Sequence, residues 1–242
     1  MNLAELRRAI ARGDNRIELA VGTVAIELGR VAPGEFLMGS PANEPGHDAN
    51  ESPVRRVSVT KPFYLAIYPL TQAQYFAVTG RQPSNFHGAD LPQDQITYPR
   101  AMELCKKLSD TTGITVTLPT EAQWEFACRA GTHTRFYSGD SEADLGRVAW
   151  YEANSGGSLH PVGKKEPNAW GFHDMLGNIW ELSLDHLGSY REMSGVDPVG
   201  PADWGQMRGG SYANGPDYCR CACRLIGNVK FGGSGVRICV NP

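Results

Sequence analysis

The sequence predicts a single domain of short helices and short strands joined by many turns. Its 242 residues suffice to bury a sizeable core, in one large domain or in two small ones. The 28 glycines and 16 prolines favour turns and irregular segments over long helices. Neither an internal repeat nor a linker-like tract interrupts the chain, which indicates one continuous domain.

The N-terminal quarter predicts one helix followed by strands. Residues 3–11 have the pattern of a short amphipathic helix, and residues 21–28 are rich in β-forming side chains. Residues 31–40 predict a strand broken by a turn, because a Pro-Gly pair lies inside them. The polar, turn-rich residues 41–53 predict a loop, and the alternation over residues 54–60 predicts a strand.

The middle of the chain carries the clearest helix signals. Thr71 is a candidate N-cap for a helix that runs to about residue 78, and residues 99–108 predict a helix with proline near its start. Thr120 is the candidate cap of a third helix, with Gln123 at the capping-box position. After Gly131 the frequent glycine, asparagine and proline residues predict mainly irregular structure.

Composition and charge exclude several classes of function. The net charge is −3, and no Lys/Arg-rich face is apparent, so nucleic-acid binding is not expected. No stretch approaches the ~20 apolar residues of a membrane span, and residues 1–8 lack the apolar core of a signal peptide. We therefore expect a cytoplasmic protein that does not span a membrane.

The six cysteines are expected to be reduced thiols. Cys105 lies among helix-forming residues, which is typical of a small core side chain. Cys219, Cys221 and Cys223 alternate, so an extended strand would place their thiols on one side. A metal site is conceivable there, but the paired C-x2-C spacing of structural zinc is missing.

Seven short motifs, in the same order along the chain, resemble those of one known family. They are residues 34–40 (GEFLMGS), 118–125 (LPTEAQWE), 154–157 (NSGG), 160–163 (HPVG), 167–171 (PNAWG), 177–181 (GNIWE) and 208–212 (RGGSY). This pattern resembles the formylglycine-generating-enzyme, or sulfatase-modifying-factor, family. The resemblance implies an α+β fold with a C-type-lectin-like core and little regular secondary structure. It covers residues 31–242, which leaves residues 1–30 as an N-terminal extension of helix and strand.

The resemblance also implies a calcium site. Asp174, the carbonyl groups of Gly177 and Ile179, and Glu181 match a calcium site of the family. Carboxylates and backbone carbonyls are the ligands that hard cations prefer. The alternative is a tight turn stabilised by carboxylates without a metal. A second family site depends on an acidic loop after Asn154, and this chain carries no acid there.

Oxidase activity in this family requires two close thiols that bind copper, because Cu(I) prefers paired thiolates. By resemblance, the first of these positions is Asn214, and only Cys219 falls near the second. One thiol cannot form a two-coordinate cuprous site, and Cys221 or Cys223 could compensate only in a rearranged loop. Copper is therefore not expected, and neither is the oxidase activity.

The composition of the C-terminal segment, residues 211–239, suggests another role. It contains no Trp, Met, Glu or Gln and a single Lys230, and these five residue types are the ones that an NNC codon cannot encode. That composition is expected if AAC codons were randomised at their adenines. The segment resembles the variable region of C-type-lectin-type variable proteins from diversity-generating retroelements. The alternative is an ordinary divergent loop.

Two hypotheses follow. The first is a non-enzymatic protein whose C-terminal segment binds a protein or another macromolecular ligand, without nucleic acid as a partner and without a membrane span. The candidate ligand-binding residues are Tyr212, Ala213, Asn214, Gly215, Asp217, Tyr218, Cys223, Leu225, Ile226, Asn228, Phe231 and Ser234. The second is a copper- or thiol-dependent oxidase that acts on a cysteine-containing peptide. Arg208, Arg220, Arg224 and Arg237 are interpreted as framework residues.

Overall fold

A computed structural model describes residues 3–186, 188–202, 205–225 and 233–242 of the chain. Most of the helices in these ranges are short. They are α1 (Leu3–Arg12), α2 (Gln72–Thr79), α3 (Tyr98–Thr112), α4 (Glu121–Arg129) and α5 (Glu142–Val148), with a single 3-10 turn at Ala49–Glu51. Within the described part of the chain, no helix is long and apolar enough to cross a membrane.

Side-chain caps explain where three of the helices begin. Thr71 and Thr120 accept a hydrogen bond from the backbone of Gln74 and Gln123, and both glutamines bond back to the cap, so α2 and α4 each start with a capping box. Both predicted starts are confirmed. Helix α5 was missed after Gly131, although Ser141 caps it with Asp144 at the third helical position. The signal was present in the sequence, and the surrounding glycine-rich residues obscured it.

The strands are also short, and most of them pair antiparallel. They are β1 (Arg16–Val21), β2 (Val24–Val31), β3 (Gly34–Met38), β4 (Arg55–Val59), β5 (Phe63–Ala66), β6 (Val116–Thr117), β7 (Trp180–Leu182), β8 (Met207–Arg208), β9 (Arg224–Leu225), β10 (Ser234–Val236) and β11 (Cys239–Val240). One sheet has the order β1-β2-β5-β11-β6, a second β10-β7-β8-β9, and a third contains β3 and β4. Only the β7–β10 pair among these is parallel.

Strands β1 and β2 belong to the five-stranded sheet, and α1 packs beside them. Strand β2 crosses the boundary expected at residue 30 and pairs with β5 from Leu28 to Val31. Leu6 and Ala9 of α1 and Ile17 of β1 are buried in the same cluster as Leu104 of α3. Helix α1 and strands β1 and β2 therefore pack against the rest of the domain.

The C-terminal segment runs between two hydrophobic clusters. One cluster surrounds Trp124 and includes Cys219 and Cys221, and the other surrounds Trp180 and includes Cys223. The three thiols do not line one side of a strand as expected, because residues 219–223 form turns. Cys219 and Cys221 are therefore buried in one cluster and Cys223 in the other, so this stretch of the chain contacts both clusters.

Candidate functional site

The C-terminal segment enters the site through two glycines that follow β8. Gly209 (φ +94°) and Gly210 (φ +75°) both have left-handed backbone conformations. A Cβ atom at Gly210 would lie 2.6 Å from the Cys219 sulfur, and one at Gly209 would lie 2.8 Å from the carbonyl oxygen of Met175. Glycine is required at both positions because any side chain would be strained and would clash. The chain can therefore turn sharply and fold back on itself.

Four buried arginines hold this segment in place. Each is paired with a buried carboxylate, and we call the set the arginine frame: Arg208 with Glu125, Arg220 with Glu51, Arg224 with Glu121, and Arg237 with Glu181. None of these eight side chains is more than 3% exposed. Charge-assisted hydrogen bonds of this kind are strong and directional, so the frame fixes the backbone that it contacts.

The frame also fastens the loop at residues 41–53 to the C-terminal segment. The Arg220 guanidinium contacts both Glu51 oxygens at 2.6 and 2.7 Å, and it donates to Glu44 at 2.9 Å and to the Gly46 carbonyl at 2.5 Å. Arg224 donates to the Asn50 carbonyl at 2.6 Å. Arg220 and Arg224 thereby join residues 44–51 to the C-terminal segment beside one surface.

That surface, which we call the C-terminal face, is formed by residues 212–218. Tyr218 is 47% exposed, Asp217 is exposed, and Tyr212, Ala213, Asn214 and Gly215 are half-buried. The backbone of the face is held by groups outside it. Ser155 donates its hydroxyl to the Tyr212 carbonyl at 2.7 Å, and the Glu152 amide donates to the Asn214 carbonyl at 3.0 Å.

Two polar side chains of the candidate set already have partners within the chain. The Asn214 side-chain oxygen accepts hydrogen bonds from Trp180 Nε1 at 2.8 Å and from the Ser211 hydroxyl at 2.6 Å. The Ser234 hydroxyl donates to the Ile96 carbonyl at 2.6 Å. These groups support the local structure, so their capacity to bond a ligand is reduced.

The remaining candidates lie beyond the face. Cys223 is only 5% exposed, so its thiol lies beneath the surface, where the second cluster packs around it. Leu225 is half-buried and packs against that cluster in β9. Ile226, Asn228 and Phe231 fall outside the described residues.

The face has neighbours that the sequence did not indicate. The Phe86 ring meets Tyr212 edge-on, with centroids 5.5 Å apart. Arg135 forms an ion pair with Asp217, and a Cβ atom at Gly46 would lie 2.8 Å from the Asp217 side chain. No local sequence pattern could have found these residues, because the contacts join distant parts of the chain.

The residues of the expected calcium site are engaged with other groups. Both Glu181 oxygens accept from Arg237, at 2.7 to 3.1 Å, and one also accepts from Trp124 Nε1 at 2.7 Å. The Gly177 carbonyl accepts the Ile179 amide at 2.7 Å, and Asp174 accepts the Gly163 amide at 2.7 Å. Burial raises the pKa of Asp174, which disfavours its charged form.

Three of these four residues, Asp174, Gly177 and Glu181, are thus already bonded to groups of the chain itself. The positive charge that balances Glu181 is already supplied by Arg237, and a cation would have to displace it. Nor do the described residues contain a group of three or more His, Cys, Asp or Glu side chains placed to hold a metal. The contacts support the alternative of a carboxylate-stabilised turn.

The copper site of the oxidase hypothesis would require two thiols in the C-terminal segment. By resemblance, the first of these positions is Asn214. Cys219, near the second, is fully buried, and burial raises the pKa of its thiol above the ordinary value. All six cysteines are free and buried. Two of them are close together: the sulfurs of Cys128 and Cys221 lie 3.7 Å apart, and both residues are 0% exposed. Neither sulfur of that pair is exposed to solvent in the folded protein.

Comparison with protein families gives a match over residues 23–241 to the sulfatase-modifying factor enzyme 1-like domain. The chain belongs to this family. Among curated relatives, the formylglycine-generating enzyme of Mus musculus is 26% identical over 189 residues, covering 71% of this chain and 48% of the enzyme. The chain spans about half the length of this relative.

Solved structures confirm the α+β fold that the motifs implied. Treponema denticola variable protein 1 has a TM-score of 0.84 and 25% identity, covering 94% of this chain and 99% of that protein. PvdO from Pseudomonas aeruginosa has a TM-score of 0.80 and 24% identity, covering 93% and 98%. Both parts of the resemblance, to the sulfatase-modifying-factor family and to a variable protein, are therefore confirmed.

Proposed function

We propose that this protein is a non-enzymatic variable protein that binds a protein or another macromolecular ligand through the C-terminal face. The observation that carries the proposal is that residues 208–225 contain both buried, ion-paired arginines and surface side chains. The arginines at 208, 220 and 224 are buried and paired, whereas the side chains at 212–218 lie at the surface between them. The likeness to Treponema denticola variable protein 1 over almost the whole chain supports the same proposal.

The chemistry of the face suits ligand binding. Tyr212 and Tyr218 are amphipathic rings that lose little conformational entropy when they are immobilised. Tyr218 meets the buried Trp180 edge-on at 6.4 Å, and Tyr212 meets Phe86, so both rings are already partly positioned. Because the backbone beneath them is fixed, binding would require little reorganisation. A cytoplasmic location remains part of the proposal.

The nucleotide sequence of the locus tests this proposal directly. A variable protein of a diversity-generating retroelement should have a nearby near-copy of the segment that encodes residues 211–239. That copy should carry AAC codons where the gene differs from it, beside a reverse-transcriptase gene. The codons of Arg220, Arg224 and Arg237 should be identical in the two copies. A locus without such a copy would leave an ordinary divergent loop as the explanation.

The second candidate, a copper- or thiol-dependent oxidase, is tested separately. Reduced protein is incubated with Cu(I) and a cysteine-containing peptide, and formylglycine is measured by mass spectrometry. We expect no conversion, because Asn214 replaces one required thiol and Cys219 is buried. Conversion that is lost in Cys219→Ala would establish the oxidase instead.

A further inference from the structure

Two thiols lie side by side directly beneath the C-terminal segment. Cys128 belongs to α4, and Cys221 lies three residues before β9, yet their sulfurs are 3.7 Å apart although 93 positions separate them in sequence. Both residues are fully buried within the same hydrophobic cluster. A disulfide bond has an S–S distance of about 2.05 Å, so a shift of less than 2 Å would bring the sulfurs to bonding distance.

The surroundings of the two sulfurs differ in a way that favours reaction between them. Burial raises the pKa of Cys128, and so does its hydrogen bond to Cys221. Burial also acts to raise the pKa of Cys221, but the hydrogen bond from Cys128 and the nearby charge of Arg129 outweigh it and lower that pKa. Cys221 is therefore the more readily ionised sulfur, and a thiolate is the nucleophile in disulfide exchange.

We propose that Cys128 and Cys221 form a reversible disulfide that fastens the C-terminal segment to α4. The oxidant is a small disulfide such as oxidised glutathione. The Cys221 thiolate attacks one of its sulfurs and releases one small thiolate. Cys128 then loses its proton and attacks the Cys221 sulfur, which releases the second. The protein loses two protons and two electrons, and the small disulfide is reduced to two thiols.

The position of the bond determines its effect. Helix α4 carries Glu121 and Glu125, the frame partners of Arg224 and Arg208, and Cys221 lies between these two arginines. The disulfide therefore joins elements that the frame already holds together. It closes a loop of about 90 residues, which restricts the unfolded chain strongly. Because both sulfurs are buried, exchange requires transient opening or occurs during folding.

Refolding in the presence of oxidised or reduced glutathione tests the proposal. We expect the mass of the oxidised protein to be about 2 Da below that of the reduced protein, apart from any glutathione adduct. Its free thiols should fall from six to four, and peptide mapping should yield a Cys128–Cys221 crosslink. The melting temperature should rise by roughly 10 °C, as expected for a disulfide closing a loop of this length in a domain of this size. Dithiothreitol should reverse the changes in mass, free thiols, crosslinking and melting temperature.

Matched variants separate this bond from other oxidation. Cys221→Ala should keep its remaining thiols and show no rise in melting temperature on oxidation. Cys105→Ala, which removes a buried thiol on α3, should still form the crosslink. Six free thiols in the oxidised wild type, or a crosslink that maps to Cys219 and Cys223, would overturn the proposal. Because mapping of the wild type decides the matter, the test does not depend on whether Cys221→Ala folds.

Discussion

Replacing Arg237 by alanine should show how much the arginine frame contributes to stability. Arg237 is 0% exposed, and it donates to both oxygens of Glu181 and to the carbonyl groups of Ala66, Ile67 and His173. Without it, Glu181 is left buried with an unbalanced charge, and three carbonyl groups lose a donor. Breaking a buried ion pair from one side costs about 3–5 kcal/mol. In a domain of this size, each kcal/mol lowers the melting temperature by roughly 2–4 °C.

We therefore expect Arg237→Ala to melt at least about 6 °C below wild type in thermal denaturation followed by circular dichroism. Arg56→Ala is the matched control, because Arg56 forms an exposed pair with Glu35 that contributes about 0–1 kcal/mol. Adding Glu181→Gln to Arg237→Ala should recover part of the loss, since it removes the orphaned charge. If Arg237→Ala and Arg56→Ala melt alike, the frame does not hold the fold, and the reasoning is wrong.

The remaining predictions concern the face, one buried acid and calcium. Combined Tyr212→Ala and Tyr218→Ala should stay folded and lose about 1–3 kcal/mol, measured by urea denaturation, because each ring gives up one edge-on aromatic contact worth about 0.5–1.5 kcal/mol. Asn214→Ala should cost about 1–3 kcal/mol in the same assay, because it leaves Trp180 Nε1 buried without its acceptor. Burial raises the pKa of Asp94 in the folded protein, so the contribution of Asp94 to the free energy of unfolding is complete only below the unfolded pKa near 4 and is lost as the pH rises through the folded pKa. Wild type should therefore lose stability relative to Asp94→Asn as the pH rises from acid to neutral, and equal pH profiles of the two proteins would contradict this. Wild-type melts in calcium and in chelator should coincide, since a bound ion must stabilise the native state, and a rise in calcium would restore the metal site.

Local chemistry made much of the fold predictable from the sequence. The capping boxes at Thr71 and Thr120 require only residues three positions apart, so both helix starts could be found without tertiary information. The same reasoning could have found α5 from Ser141 and Asp144. The strand β2 was placed imprecisely, because its end is set by pairing with β5, which lies more than thirty residues away.

The site was less predictable because long-range contacts build it. The R-G-G-S motif indicated the frame, but the partners of Arg220 and Arg224 lie at Glu51 and Glu121, and no spacing rule connects them. Cys223 was predicted to bind the ligand because it lies in the segment of unusual composition, yet the second hydrophobic cluster buries it. The composition of residues 211–239 indicates a segment, whereas the burial of each residue in it depends on how the whole chain folds.

The contacts of the C-terminal face explain how its side chains could change while the fold is kept. The Tyr212 amide donates to the Asn178 carbonyl, and the Tyr212 carbonyl accepts from Ser155, so both backbone groups are held whatever side chain stands at 212. Such main-chain bonds are indifferent to side-chain identity, and the arginine frame lies outside the face altogether. Asn214 differs, because its side chain itself holds Trp180. Variation should therefore be less restricted at 212 and 218 than at 214, although all three positions lie on one surface.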